Sequence, residues 1–188
     1  MPALNKPPPA LLTAVSAMET NHEKQENRIS DFLADMVRKH PKMRQKYLYP
    51  GTQNDPVCGT EGRLLGDENT NESRGVTNSN HRSPVIHYGL IASGNLVIKD
   101  AATRDRLREE VGCDVLCFEM EAAGVMDTFP CVVIRGISDY ADYHKNDLWQ
   151  GYAAATAAAC AKELLCIIPR SGIAVTLTTP EATGESAS

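Results

Sequence analysis

Apolar positions near the start of the chain recur with a helical period. Leu11, Val15 and Met18 are spaced by four and three, so residues 8–19 read as a helix with one apolar stripe, and Pro9 suits its first turn. Ile29, Phe32, Leu33, Met36 and Val37 line one face of a second helix over residues 28–39, with Asp31, Asp35, Arg38 and Lys39 mostly off it. Pro41 ends that helix. The periodicity then disappears. Residues 50–84 are rich in Gly, Asn, Thr and Ser and poor in apolar side chains, which predicts a flexible surface insertion. Patterned sequence resumes with VIHYGLIAS (85–93), a buried strand closed by Ser93-Gly94-Asn95. Ala101–Val111 is a charged helix with Gly112 as its stop. VLCFEM (115–120) predicts a second strand, EAAGVMDTF (121–129) a short helix and PCVVIRGISD (130–139) a third strand entered at Pro130. Residues 147–167 form an alanine-rich helix in which Trp149, Ala153, Thr156, Cys160 and Leu164 make a narrow packing stripe. The polar, small residues 170–188 predict a disordered tail.

From residue 85 onward, continuous apolar strands alternate with helices. That order implies an α/β sheet covered on both faces. Ligands of such sheets collect at the carboxyl ends of the strands. Three ends here carry polar residues: Ser93-Gly94-Asn95, Glu119-Met120-Glu121 and Ser138-Asp139. Their convergence makes a candidate site, where one polar end would not.

Composition narrows the chemistry. The 188 residues suffice for one domain with a modest core. A net charge of −5, from 19 basic and 24 acidic residues, supports neither a nucleic-acid groove nor attachment to an anionic membrane. No apolar run reaches the ~18 residues of a membrane span, and the proline-rich start has no signal-peptide core, so a cytoplasmic or nuclear location is expected. The six cysteines form no CxxC pair, and Cys117, Cys131 and Cys160 sit in apolar surroundings as free thiols do. The five histidines are scattered without ligand spacing, so no metal is expected.

GLIASGNLVI (89–98), FEMEAAG (118–124) and VVIRGISDYAD (132–142), in this order, resemble the nucleoside phosphorylase/nucleosidase superfamily. This superfamily includes purine nucleoside phosphorylases and methylthioadenosine/S-adenosylhomocysteine nucleosidases. The likeness is greatest to the N-terminal domains of fungal NACHT or ankyrin-repeat proteins of the NLR type, where a similar NKPP…LLTA segment precedes the same motifs. The resemblance spans most of residues 4–168. It implies a three-layer α/β fold with a central mixed sheet flanked by helices, made here by residues 1–169. The family's preceding segment supplies further strands, a glycine-rich phosphate loop and, in nucleosidases, the acid that activates water. No GxGG-type loop occurs in the chain, so the fold is expected to be incomplete at its N-terminus.

The resemblance also implies roles. Cleaving a purine N-glycosidic bond builds positive charge on the sugar, and the base must not leave as an anion. Asp139, after Ser138, would protonate the purine at N7. Glu121 would accept the ribose hydroxyls, Met120 would pack on the ribose face, and Glu119 would lie beside the sugar. Ile98 would offer backbone contacts to the base. Val97 stands where several nucleosidases carry a stacking aromatic, and Asn95 where they carry Asp, so base affinity or choice is expected to differ. No cofactor is implied beyond inorganic phosphate as co-substrate; self-association is implied by the family and by an open sheet edge. The plainer alternative makes Glu119 and Glu121 ordinary acids at a helix N-terminus and Asp139 a turn residue. Asp142 reads as structural, and Arg135, within the third strand, would pair internally and is given no role at the site. A nucleoside-binding or interaction module without turnover stands as the second functional class.

Overall fold

The small residues of the last helix decide how closely everything else can approach it. In the computed structural model, which describes residues 6–55, 83–111 and 114–169, this helix (α6, Leu148–Ile167) is the centre of the packing. Gly151, Ala153, Ala155, Ala159, Cys160 and Leu164 are buried along it. Alanine favours the helix and leaves shallow side-chain relief, so two other helices can lie against it. They are α1 (Pro9–His22), which buries Ala14 and Met18, and α2 (Ile29–Lys39), which buries Ile29 and Leu33. The helical turn α3 (Arg44–Tyr47) also packs on α6, where the Lys46 carbonyl approaches Gly151. The first helix starts one residue later than expected and runs three residues further, to His22.

One buried carboxylate joins these helices. Glu163 of α6 is 7% exposed. Its Oε1 and Oε2 accept from the Arg28 N–H, at 3.3 and 3.1 Å, at the N-cap of α2. His22, the last residue of α1, brings Nε2 within 3.1 Å of Glu163 Oε1 and Nδ1 within 2.8 Å of the Tyr88 hydroxyl. Every group is satisfied if Tyr88 donates to Nδ1 and Nε2–H donates to the carboxylate. Burial, with added effects of Cys160, Glu19 and Glu163, pushes the Tyr88 hydroxyl up to about 12, which suits it as the donor.

The sheet among the described residues has two strands, β1 (Leu90–Ser93) and β2 (Val115–Glu119), parallel and joined through the crossover helix α4 (Ala101–Val111). The arrangement is a mixed helix–strand fold of the α/β kind. Two sequence expectations are corrected here. Residues 85–89 do not extend the first strand; Ile86 and Tyr88 instead pack against the helical core. Residues 130–139 form no strand either. Their β-branched side chains Val132 and Ile134 are satisfied by burial against the helical core, not by a ladder. Gly136 lies so close to the Ala153 carbonyl that a Cβ there would collide with it. The short helix α5 (Ala122–Met126) follows β2, as expected. Most of the expected insertion (56–82), the Gly112 helix stop and the tail 170–188 lie outside the described residues.

Gly136→Ala is expected to cost about 1–3 kcal/mol, read as a lower urea midpoint, because neither the Ala153 carbonyl nor the helix carrying it can yield cheaply. Gly124→Ala in α5, where a Cβ meets nothing within 4 Å, should leave the midpoint unchanged or raised. Equal midpoints for wild type and Gly136→Ala would show that this close approach does not hold the 130–137 segment.

Candidate functional site

The parallel register sets two strand ends side by side. Ser93 pairs with Glu119, and the chain leaves both strands at the same level, with Gly94 N–H donating to the Glu119 carbonyl at 3.1 Å. The segment after Gly136 brings Ser138 and Asp139 to the same place. A cavity of about 540 Å3 results. Ser93, Gly94 and Asn95 do not line it, whereas Val97, Ile98, Glu119, Met120, Glu121, Ser138 and Asp139 do and therefore share one space.

They are not equivalent there. Glu119 is 5% exposed, and its Oε2 accepts from the N–H groups of Glu121 (2.9 Å) and Ala122 (2.7 Å) at the start of α5. Its Oε1 is buried and has no hydrogen-bond partner among the described residues. Burial pushes this carboxyl up. The nearby Ser93 hydroxyl, the two N–H groups and the Arg135 guanidinium outweigh it and hold the carboxyl below the usual glutamate range. Ser93 Oγ itself accepts from the Ala123 N–H at 3.0 Å. For Glu119 the helix-start reading thus describes one oxygen, Oε2, and not the other.

Glu121 is largely exposed and carries an ion pair with Arg135 at 2.9 Å. Met120 and Val97 present apolar surface at the rim, being 42% and 43% exposed, whereas Ile98 is buried. Asp139 is half-buried in a tight turn. Its Oδ1 accepts from Ala141 N–H at 2.9 Å, and the Ser138 hydroxyl lies 3.5 Å from Oδ2. Ala141 has φ +51°, the left-handed conformation that this side-chain-closed turn requires. The turn is held from outside as well: Arg104 of α4 donates to the Tyr140 carbonyl at 2.8 Å, and the Tyr140 hydroxyl reaches both Asp55 oxygens at 3.1 Å.

Arg135 does pair internally, and its partner is Glu121 at the cavity. Its signal was present: a lone charge inside an apolar run. Arg104 had no such signal among the alternating charges of α4. Arg104, Arg108 and Lys145 also line the cavity, offset by Asp105 and the strand-end carboxylates. Among the described residues no group of His, Cys, Asp and Glu is arranged to hold a metal ion, and no helix is long and apolar enough to cross a membrane.

Comparison with known proteins gives partial but consistent matches. The chain is 44% identical over 170 residues to a nucleotide-binding leucine-rich repeat (NLR)-like protein of Hyaloscypha variabilis, covering 88% of this chain and 16% of that protein. It is 39% identical over 80 residues to the ATP nucleosidase Cap17 of Escherichia coli, covering 39% of this chain and 15% of the relative. It is 32% identical over 93 residues to a 5'-methylthioadenosine/S-adenosylhomocysteine nucleosidase of Mycobacterium bovis, covering 47% of this chain and 36% of the relative. The chain thus spans a minor part of each relative's length. No family model matches the chain, and no solved structure matches it. The named relatives support a nucleosidase-like superfamily.

Because the folded Glu119 carboxyl is depressed, its contribution to stability is complete above the usual glutamate pKa of ~4.3 and is lost as pH falls through the lower folded value. Glu119→Gln should therefore destabilise the protein at pH 7 by about 1–2 kcal/mol, by weakening two charge-assisted bonds to backbone N–H groups. The gap to wild type in urea melts should narrow as pH falls below ~4. A gap of equal size at pH 7 and at pH 3 would show that the charge on Glu119 is not what anchors the start of α5.

Proposed function

We propose that the cavity at the strand ends cleaves the N-glycosidic bond of a purine nucleoside-type ligand. The observation that carries this reading is the gathering of an apolar rim (Val97, Met120) and two kinds of carboxylate (Glu121, Asp139) in one cavity of about 540 Å3, large enough for a nucleoside. The names of the relatives, an ATP nucleosidase and a methylthioadenosine/S-adenosylhomocysteine nucleosidase, support a nucleoside-cleaving type of domain.

In this reading Asp139 works as the acid. It gives its proton to the purine at N7 as the bond to the sugar breaks, so the base leaves neutral and the electron pair of the C–N bond goes to the ring. The Ser138 hydroxyl and the Ala141 N–H hold its two oxygens in place. Glu121 accepts from the ribose hydroxyls, and its negative charge stabilises the cationic sugar. To do so it must exchange its contact with Arg135 for the sugar, a swap that the exposure of both groups makes inexpensive. Met120 closes the apolar face, and Ile98 meets the base through its backbone. Water or inorganic phosphate is the nucleophile. The fold around this site is then the three-layer phosphorylase-like one, and the protein acts in nucleoside metabolism or in NLR-type signalling.

A module that binds a nucleoside without turnover is the second reading. The observation in its favour is that Glu121, the sugar-binding carboxylate, is already engaged by Arg135.

Free-base release from adenosine, inosine, methylthioadenosine and ATP, each with and without phosphate, separates the two. Wild type should release base, and Asp139→Asn should lose about 100-fold or more in kcat. Glu121→Gln should act mainly on KM if the sugar contact is uniform between ground and transition state. No release by a cooperatively melting wild-type chain, with ligand binding intact, would overturn the enzymatic reading in favour of the binding one.

A further inference from the structure

The Asp139 turn has a second side. A smaller cavity of about 140 Å3 lies behind it, lined by Asp55, Ser138, Asp139, Tyr140, His144 and Trp149, together with Ile137 and Asn146. Residues 137–140 line both cavities, so Asp139 stands between the substrate space and this compartment.

The compartment contains an oriented imidazole. Asp142, 8% exposed, accepts from the His144 N–H at 2.8 Å through Oδ1 and lies 3.2 Å from His144 Nδ1 through Oδ2. Burial pushes the Asp142 carboxyl up, but the His144 N–H, the His144 ring and the Arg104 charge outweigh it and keep it below the usual aspartate range. An ionised Asp142 selects the tautomer with the proton on Nδ1 and leaves Nε2 as the ring's exchangeable position. The Tyr143 ring packs on the imidazole with centroids 3.7 Å apart, which restrains its rotation. The opposite wall is fixed as well. Trp149 Nε1 and Asn146 Nδ2 donate to the Asn54 carbonyl at 3.1 and 2.6 Å, and this sets Asp55 against Tyr140.

An acid that gives up its proton in every cycle must recover it. We propose that His144, oriented by Asp142, returns the proton to Asp139 through the small cavity. The inference rests on the nucleosidase reading of the larger one. The imidazolium Nε2–H loses its proton to water in the cavity, and that water's own proton passes to the Asp139 carboxylate. The products are a neutral imidazole and a carboxylic acid, and solvent reprotonates the imidazole through its exposed edge, 38% of the side chain. A volume of about 140 Å3 accommodates a short water chain, since each water occupies about 30 Å3 in the liquid. Ser138, Asp139 and His144, which line this cavity, supply the polar partners at its two ends. His144 is thus a relay that acts through Asp139 and does not itself touch the substrate.

The test uses the full chain and whichever nucleoside wild type cleaves fastest. His144→Ala should lower kcat by at least ~100-fold with KM within about threefold of wild type. Exogenous imidazole should restore kcat at least about tenfold, while Asp139→Asn should show no such rescue. Asp142→Asn should lose about tenfold, because it favours the wrong tautomer. His144→Gln serves in the same assay if the alanine variant melts early. An active wild type with an unimpaired His144→Ala would overturn the relay and leave the nucleosidase reading standing. So would a slow His144→Ala that imidazole cannot restore. An inactive wild type would overturn the nucleosidase reading, and the relay with it.

Discussion

One carboxylate, Glu163, holds the architecture together. A buried charge is costly unless its partners are complete, and Glu163 finds them at two helix ends, the N-cap of α2 and the last residue of α1. It satisfies the N–H at the start of α2, meets His22 at the end of α1, and through His22 reaches Tyr88 just before β1. Glu163 and Tyr88 both lie far along the chain from the short α1–α2 junction between His22 and Arg28. These hydrogen bonds supply what the apolar contacts lack, which is a unique register. Ala14, Met18, Ile29 and Leu33 could slide along the small-residue face of α6, whereas the Glu163 contacts exist at one position only.

The site inherits that register. Tyr88 lies two residues before β1, so the network that fixes the helices also fixes where the sheet begins. The parallel pairing then sets Ser93 level with Glu119, and the close approach of Gly136 to α6 brings the Ser138–Asp139 turn to the same level. The N-terminal end of α6 adds the last element. Its Trp149, with Asn146 just before the helix, holds Asn54 and thereby Asp55 against the far side of the Asp139 turn. Two cavities on either side of a single turn follow from this arrangement, one roomy, the other small and reached by both Asp139 and His144.

Polar contacts at the site divide into those that anchor and those that remain exchangeable. Glu119 is buried and bonded to backbone, so it maintains the join between β2 and α5. Glu121 and Arg135 are exposed and paired, so a ligand can displace that contact at little cost. Neighbouring carboxylates, two residues apart, thus differ in role because one points into the join and the other out of it. Alternation along an extended chain does not explain this, since both would then share a face. The difference arises where the chain turns from strand to helix.

Helices with a clear period were legible from the sequence. The stripes through Leu11–Met18 and Ile29–Val37, and the alanine-rich run, are α1, α2 and α6, because helical spacing is a local property of side chains. The second strand was legible from its short apolar, β-rich run. The third strand was misread: a β-branched run such as CVVI suits any buried extended segment, and only the packing against α6 determines whether a ladder forms. The cavity residues could be nominated from their motifs, but not their partners. Arg104 to Tyr140, Arg135 to Glu121, Tyr140 to Asp55 and Glu163 to His22 join positions far apart in the chain. Local pattern determined which segments are helical and which side chains could do chemistry. Tertiary structure alone decided which charges meet, because a hydrogen bond depends on distance in space and the sequence records only distance along the chain.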